Sequence, residues 1–361
     1  MFNLIYRLTA PGVFGEFQEE MELSGTKVLV CPTHLSICHA DQRYYQGSRP
    51  AKVLKEKLPL ALIHEAAGTV LYDPAGIFIP GQRVVMVPNQ PAEKEKELER
   101  GAIEENYKIT SRFCGSSTDG FLQEMLALPA DRVLLLPKKV PMEIGAFTEM
   151  VSVAFHAIRR IGMEDGWEAA VWGDGNLGYL TGLLIKILYP KTNLHIFGVN
   201  KEKLEYFTFA DQLHFTDRET QKEYEGGSGQ DCFRYAFECV GGEQSGMVIG
   251  EMIKRMQPEG RIGLLGVAEF PISIPTRNVL EKGLTVVGNS RSSRKDFEQV
   301  LKLYRERSEM IEALHPLVGE ELPVRNLKEL SEAFEKDSRR RWGKTILTRS
   351  SDYAFQAHNN S

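Results

Sequence analysis

The chain has 361 residues, 42% hydrophobic and 26% charged, which fits a globular protein of about two to three domains and excludes collagen-like, mucin-like and wholly disordered chains. Lys plus Arg number 44 and Asp plus Glu 49, so the net charge is −5 and no broad basic face for nucleic acid is expected. The five cysteines, Cys31, Cys38, Cys114, Cys232 and Cys239, are too few and too scattered for a disulfide framework and read as reduced thiols.

The opening MFNLIYRLTA lacks the basic start and apolar core of a secretory leader. No window reaches the roughly 18–20 apolar residues of a membrane span, so a cytoplasmic protein without membrane association is expected. Strand-like runs at Lys27–Pro32, Gly68–Tyr72 and Arg83–Val87, punctuated by Gly and Pro, make the part up to residue 150 β-rich. Residues 92–108 are dense in charges of both signs and read as a solvated surface insertion.

From Trp167 onward short apolar strands alternate with amphipathic stretches. A strand over Ala169–Gly173 precedes a helix over Leu177–Tyr189, and a strand over Asn193–Val199 precedes a helix around Lys201–Asp211. A strand over Arg234–Gly242, a helix over Gly246–Met256 and strands over Gly260–Val267 and 282–290 follow. This alternation predicts a parallel sheet covered by helices. A helix over Ser293–Arg307 and a last strand over Lys344–Thr348 come next, and the polar tail from Ser350 reads as loose.

The first strand of the alternating region runs directly into Gly173-Asp174-Gly175-Asn176-Leu177-Gly178 and then into a helix. G-x-G-x-x-G is weak alone; in strand–loop–helix context it is a dinucleotide fingerprint, with the pyrophosphate on the helix N-terminus. The second strand ends Gly198-Val199-Asn200 without the acid that binds the ribose hydroxyls in NAD-specific sites, and Lys201 and Lys203 follow. That favours NADP(H); the lysines also read as an exposed helix face.

Cys38, the pair His64-Glu65 and Glu149 together offer a thiolate, an imidazole and carboxylates, a donor set suited to a catalytic zinc rather than magnesium or calcium. Asp41 reads either as the partner that orients a metal ligand or as a solvated structural acid.

Cys38-x-x-Asp41, His64-Glu65-x-x-Gly68, Gly81-x-Arg83-Val84, His156 in AFHAI, the glycine loop and Glu238-Cys239-x-Gly241 occur in the order found in the zinc-dependent medium-chain dehydrogenases, which the chain resembles over nearly its whole length. The longer segments ADQRYYQGSR, KLPLALIHE, VVMVPNQP and LEKGLTVVGNSRSSRKDF resemble the branch of TarJ-type ribulose-5-phosphate reductases of wall teichoic acid synthesis. The resemblance implies an α/β protein: a GroES-like β-rich catalytic domain from residues 1–151 and 290–361, and a Rossmann, doubly wound NADP-binding domain from 152–289.

It further implies reduction of D-ribulose 5-phosphate to D-ribitol 5-phosphate with NADPH, feeding CDP-ribitol and teichoic acid synthesis. The runner-up is a zinc polyol or alcohol dehydrogenase on an unphosphorylated substrate. One catalytic zinc would be held by Cys38, His64, Glu65 and Glu149, with Asp41 beside them. The cofactor would meet Gly173, Gly175, Asn176, Leu177, Gly178, Lys201 and Gly241, and Lys344 would reach its pyrophosphate. Arg43 and Tyr45 are the candidates for the substrate; a solvated loop is the alternative reading of that stretch. A homodimer through the strand near residue 286 and a cytidylyltransferase acting next in the pathway are the implied partners. Three departures stand out. Cys114 is alone where relatives place four zinc-binding cysteines, and Ala40 and Arg43 occupy positions that carry a proton relay in other branches.

Overall fold

The computed structural model describes residues 1–23, 25–91, 103–216 and 232–349, and the chain divides into a unit of Met1–Glu149 with Ser292–Ser361 and a unit of Met150–Arg291. Residues 92–102 of the charged insertion, and the tail from Ser350, lie outside the described residues.

Among the described residues the first unit carries a seven-stranded sheet. Its strands lie in the order Val133–Leu135, Arg83–Met86, Glu65–Tyr72, Lys27–Ser36, Lys344–Thr348, Val318–Pro323, and Leu126–Pro129 also pairs with Lys27–Ser36. All pairings are antiparallel except that of Val318–Pro323 with Lys344–Thr348. The central Lys27–Ser36 strand is almost wholly buried, as its apolar run requires. It crosses its neighbour closely at Gly68, where a Cβ would stand 2.1 Å from the Cys31 carbonyl oxygen.

Two strands run further than expected, and both extensions bear on function. Lys27–Pro32 continues to Ser36, past a register shift between Pro32 and His34 that accommodates the proline, and Gly68–Tyr72 begins at Glu65. The strand Lys344–Thr348 pairs Ile346 with Ser36 and so lies inside the sheet, beside the strand that leads to Cys38. A hairpin of Phe2–Ala10 and Val13–Glu20, with Gly12 at φ +75°, adds a small second sheet that the sequence reading missed. The surface reading of the insertion fails at Glu105, whose carboxylate takes both guanidinium nitrogens of buried Arg132 at 3.0 and 3.2 Å. This unit is GroES-like.

The second unit is a Rossmann fold. Six parallel strands lie in the order Gln212–Phe215, Asn193–Gly198, Glu168–Trp172, Phe233–Glu238, Met256–Leu264, Thr285–Gly288. The chain order reverses beside Glu168–Trp172, which opens a crevice at the carboxyl ends of the strands. The helix expected over Lys201–Asp211 stops at Leu204. Aromatic residues after it have low helix propensity, and Phe207 and Phe209 instead pack edge-on against Tyr179, with centroids at 5.3 and 5.1 Å.

Candidate active site

Two short segments of the first unit bring together the candidate metal donors. Cys38 caps the helix His39–Tyr45, immediately after the buried strand ends at Ser36. His64 and Glu65 open the strand Glu65–Tyr72. Between them, Ile63 is fully buried at φ +70°, a conformation that a β-branched side chain rarely adopts and that surrounding contacts impose. Its carbonyl accepts from Phe121 N at 2.7 Å, and Gly120 presses so close that a Cβ there would lie 2.3 Å from that oxygen.

The donor atoms of Cys38, His64 and Glu65 lie within 4.8 Å of one another. Asp41 is not solvated. It is 1% exposed, and its two oxygens accept from Cys38 N at 2.9 Å and Ile63 N at 3.0 Å, with His64 Nδ1 3.8 Å away. It thus ties together the two backbones that present the ligands. Glu65 is fully buried; Ser36 donates its hydroxyl to Oε2 at 2.8 Å and Lys344 its ammonium to Oε1 at 2.9 Å. Glu149, 6% exposed at the start of the helix Thr148–Ile161, acts electrostatically on His64.

Burial, and then Glu65, push the Cys38 thiol up. Burial pulls against a charged His64, yet Asp41 and Cys38 raise it well above its ordinary value. Thiolate, imidazole and carboxylate donors at this spacing fit zinc.

Two expected site residues stand elsewhere. Tyr45 is a correction: it is 4% exposed, with Phe14 and Phe334 at centroid distances of 5.7 and 5.0 Å and its hydroxyl on Glu335 at 3.1 Å. Burial and Glu335 push its hydroxyl up to about 12. It belongs to the core, because one step along a helix turns a side chain by about 100° and Tyr45 follows the buried Asp41 at four residues. Lys344, implied at the cofactor pyrophosphate, is 3% exposed and committed to Glu65. Arg43 is half-buried on the helix His39–Tyr45.

In the second unit the glycine loop leaves the strand Glu168–Trp172 and enters the helix Asn176–Leu188. Gly173 has φ +133°, and a Cβ on Gly178 would stand 1.9 Å from the Gly173 carbonyl oxygen, so the loop folds tightly onto the helix. A Cβ on Gly175 would meet nothing within 4 Å, which leaves the approach to the helix N-terminus open to a pyrophosphate. Gly241, at φ +69°, turns the chain after the strand Phe233–Glu238 and donates its N–H to Glu238 at 2.7 Å.

The sequence reading missed Asp174, whose Oδ2 accepts from both Val199 N and Asn200 N at 2.7 Å and so joins the loop to the end of the second strand. Gly198 at that strand end pairs in register with Phe215, and the Lys201 ammonium lies over the Phe215 ring at 4.6 Å.

Residues 24–138 match the family of alcohol dehydrogenase GroES-like domains. Over 350 residues the chain is 44% identical to ribulose-5-phosphate reductase 1 of Staphylococcus aureus, covering 96% of this chain and 99% of that one. It is 42% identical over 353 residues to the ribulose-5-phosphate reductase of Bacillus spizizenii, with the same coverage. Among solved structures it is similar to S. aureus TarJ in complex with NADPH, with a TM-score of 0.84 and 40% identity over 97% of this chain and 100% of that one.

Proposed function

The chain belongs to the zinc-type medium-chain dehydrogenases and, within them, to the ribulose-5-phosphate reductases, and from that premise we propose that it reduces D-ribulose 5-phosphate to D-ribitol 5-phosphate with NADPH. The observation that carries this reading is the Cys38–His64–Glu65 donor cluster, in the same chain as a glycine loop and a second strand that ends at Gly198 and is followed by Val199, Asn200 and Lys201 without an acid.

When bound, zinc supplies Lewis acidity to a ketone and NADPH supplies the hydride. Cys38, His64 and Glu65 would hold the metal, with Glu149 beside His64. Asp41 keeps the two ligand-bearing segments in register through its bonds to Cys38 N and Ile63 N. Ser36 and Lys344 fix the Glu65 carboxylate from both sides. In the second unit Gly173, Gly175, Asn176, Leu177 and Gly178 offer backbone to the pyrophosphate, and Lys201 would meet the 2′-phosphate. Arg43, half-buried and five residues past Cys38, anchors the substrate phosphate at its far end.

We take the first unit as the catalytic domain and the second as the NADP-binding domain, in a cytoplasmic enzyme; among the described residues no helix is long and apolar enough to cross a membrane. The product suits a cytidylyltransferase as the next enzyme. The strand Thr285–Gly288 lies at the edge of the parallel sheet and would pair two copies as a homodimer.

A panel of ribulose 5-phosphate, xylulose 5-phosphate, ribulose and fructose, each with NADPH and NADH, tests the function. The expected result is the highest kcat/KM for ribulose 5-phosphate with NADPH. Equal rates on ribulose and its phosphate would favour an unphosphorylated polyol, and better use of NADH would overturn the cofactor reading.

A further inference from the structure

The strand Phe233–Glu238 ends on a buried charge. Glu238 is fully buried, and among the described residues its carboxylate pairs with no Lys or Arg. Its partners are backbone N–H groups. Oε1 accepts from Val240 N at 3.0 Å and Gly241 N at 2.7 Å, in the turn after its own strand. Oε2 accepts from Gly266 N at 3.0 Å, just past the end of the neighbouring strand Met256–Leu264. The Glu238 carbonyl oxygen takes Leu265 N at 2.9 Å and Gly266 N at 3.1 Å as well. A carboxylate is tolerated in such a place only where hydrogen bonds replace its water, so the side chain and the two strand exits hold one another.

We infer that Glu238 is a positioning residue for the nicotinamide half of NADPH: its carboxylate clasps the exits of two neighbouring strands and fixes the backbone on which that half lies. The inference rests on the NADPH reading above and deepens it.

Three glycines show how tight the clasp is. A Cβ on Gly266 would stand 2.3 Å from Gly241 N and 2.5 and 2.6 Å from the two Glu238 oxygens, so only a hydrogen fits there. Gly241 and Gly242 both lie in the left-handed region, at φ +69° and +65°. Two such residues in succession have wide freedom in an unrestrained chain. Here the bond from Gly241 N to Glu238, and that from Gly242 N to Val267 O at 2.9 Å, hold them in one shape.

The place of the clasp gives it its role. The chain order of the parallel sheet reverses beside Glu168–Trp172, and a dinucleotide lies across the carboxyl ends of the strands with its pyrophosphate at that point. The strand Asn193–Gly198 lies to one side and leads to Lys201, on the adenosine half. Phe233–Glu238 and Met256–Leu264 lie to the other, so their exits serve the nicotinamide half. Cys239 follows Glu238 directly and abuts the glycine loop. Its N–H donates to Trp172 O at 2.8 Å, and a Cβ on Gly173 would stand 2.9 Å from its carbonyl oxygen.

The test compares NADPH with adenosine 2′,5′-bisphosphate, which carries the adenosine half alone, in the unmodified protein, E238Q and G266A. Calorimetric titration gives both dissociation constants, and the emission of bound NADPH reports the surroundings of its nicotinamide ring. In E238Q an amide NH2 replaces one acceptor oxygen and confronts an N–H, which opens half the clasp. In G266A the added methyl pushes on a carboxylate that stays charged. In both, the dissociation constant of NADPH should rise roughly 10–100-fold while that of the bisphosphate stays within about 2-fold, and the emission should move towards that of free NADPH. Equal weakening of both ligands shows a merely structural residue and overturns the inference, as does unchanged affinity for NADPH. A measurement on the unmodified protein covers the case in which the variants do not fold. The amides of Val240, Gly241 and Gly266 should exchange slowly with deuterium before cofactor is added, and fast exchange overturns a preformed clasp. If the unmodified protein prefers NADH, the NADPH reading fails on its own, and the same comparison with NADH and adenosine 5′-monophosphate decides the clasp. Binding of neither cofactor overturns both.

Discussion

Glu65 shows how much a single side chain depends on its neighbours. It is fully buried with Ser36 on one oxygen and Lys344 on the other, so its charge is matched inside the protein rather than by water. Removing Lys344 would leave a buried carboxylate without its cation, which typically costs about 3–5 kcal/mol. Lys344→Met should therefore lower the midpoint of thermal unfolding by several degrees, measured on metal-free protein by calorimetry. An unchanged midpoint would show that the pair contributes nothing to the fold. The donor atoms of Cys38, His64 and Glu65 lie within 4.8 Å of one another, and these three, each ordinary alone, were picked out of the sequence as one donor set. Their supports were not. Lys344 meets Glu65 across 279 positions of sequence, and Ser36 is an ordinary strand serine until the sheet registers are known. Tyr45 was misplaced for a related reason, since adjacent residues of a helix only seven residues long give no periodicity from which to read a face.

At the level of elements, two glycine-dependent crossings hold the two halves of the chemistry, one in each unit. The segment that presents His64 is locked to residues 120–122 by Gly120 N to Ala61 O at 2.7 Å and Phe121 N to Ile63 O at 2.7 Å. The glycine loop is locked to its helix at Gly178. Gly120→Ala should displace the His64 segment and lower both the zinc content and the unfolding midpoint. Gly178→Ala should abolish NADPH binding while zinc content stays near that of the unmodified protein. Plasma emission analysis of zinc and a fluorescence titration with NADPH separate the two outcomes. Zinc loss in Gly178→Ala, or undiminished NADPH affinity there, would contradict this division. The Gly178 crossing was readable from G-x-G-x-x-G spacing. The Gly120 crossing was hidden, because the clash it avoids is with a backbone more than fifty residues away.

On the scale of the whole molecule, the chain order explains what pattern reading could reach. The parallel sheet of Met150–Arg291 follows the strand–helix alternation, so all of its described strands but Gln212–Phe215 were placed within a few residues from local sequence. The first unit closes only when Ser292 onward returns to pair Lys344–Thr348 with Lys27–Ser36, a long-range pairing that no local window contains. In the proposed reaction NADPH reduces the carbonyl carbon of a phosphorylated ketose. The most direct measurement uses NADPH deuterated at the transferred position, ribulose 5-phosphate and the zinc-loaded enzyme, with the product examined by mass spectrometry and NMR. The expected product is a pentitol 5-phosphate carrying one deuterium on C2; a pentitol phosphate without deuterium, or no reduction of the phosphorylated ketose, would contradict the proposed reaction.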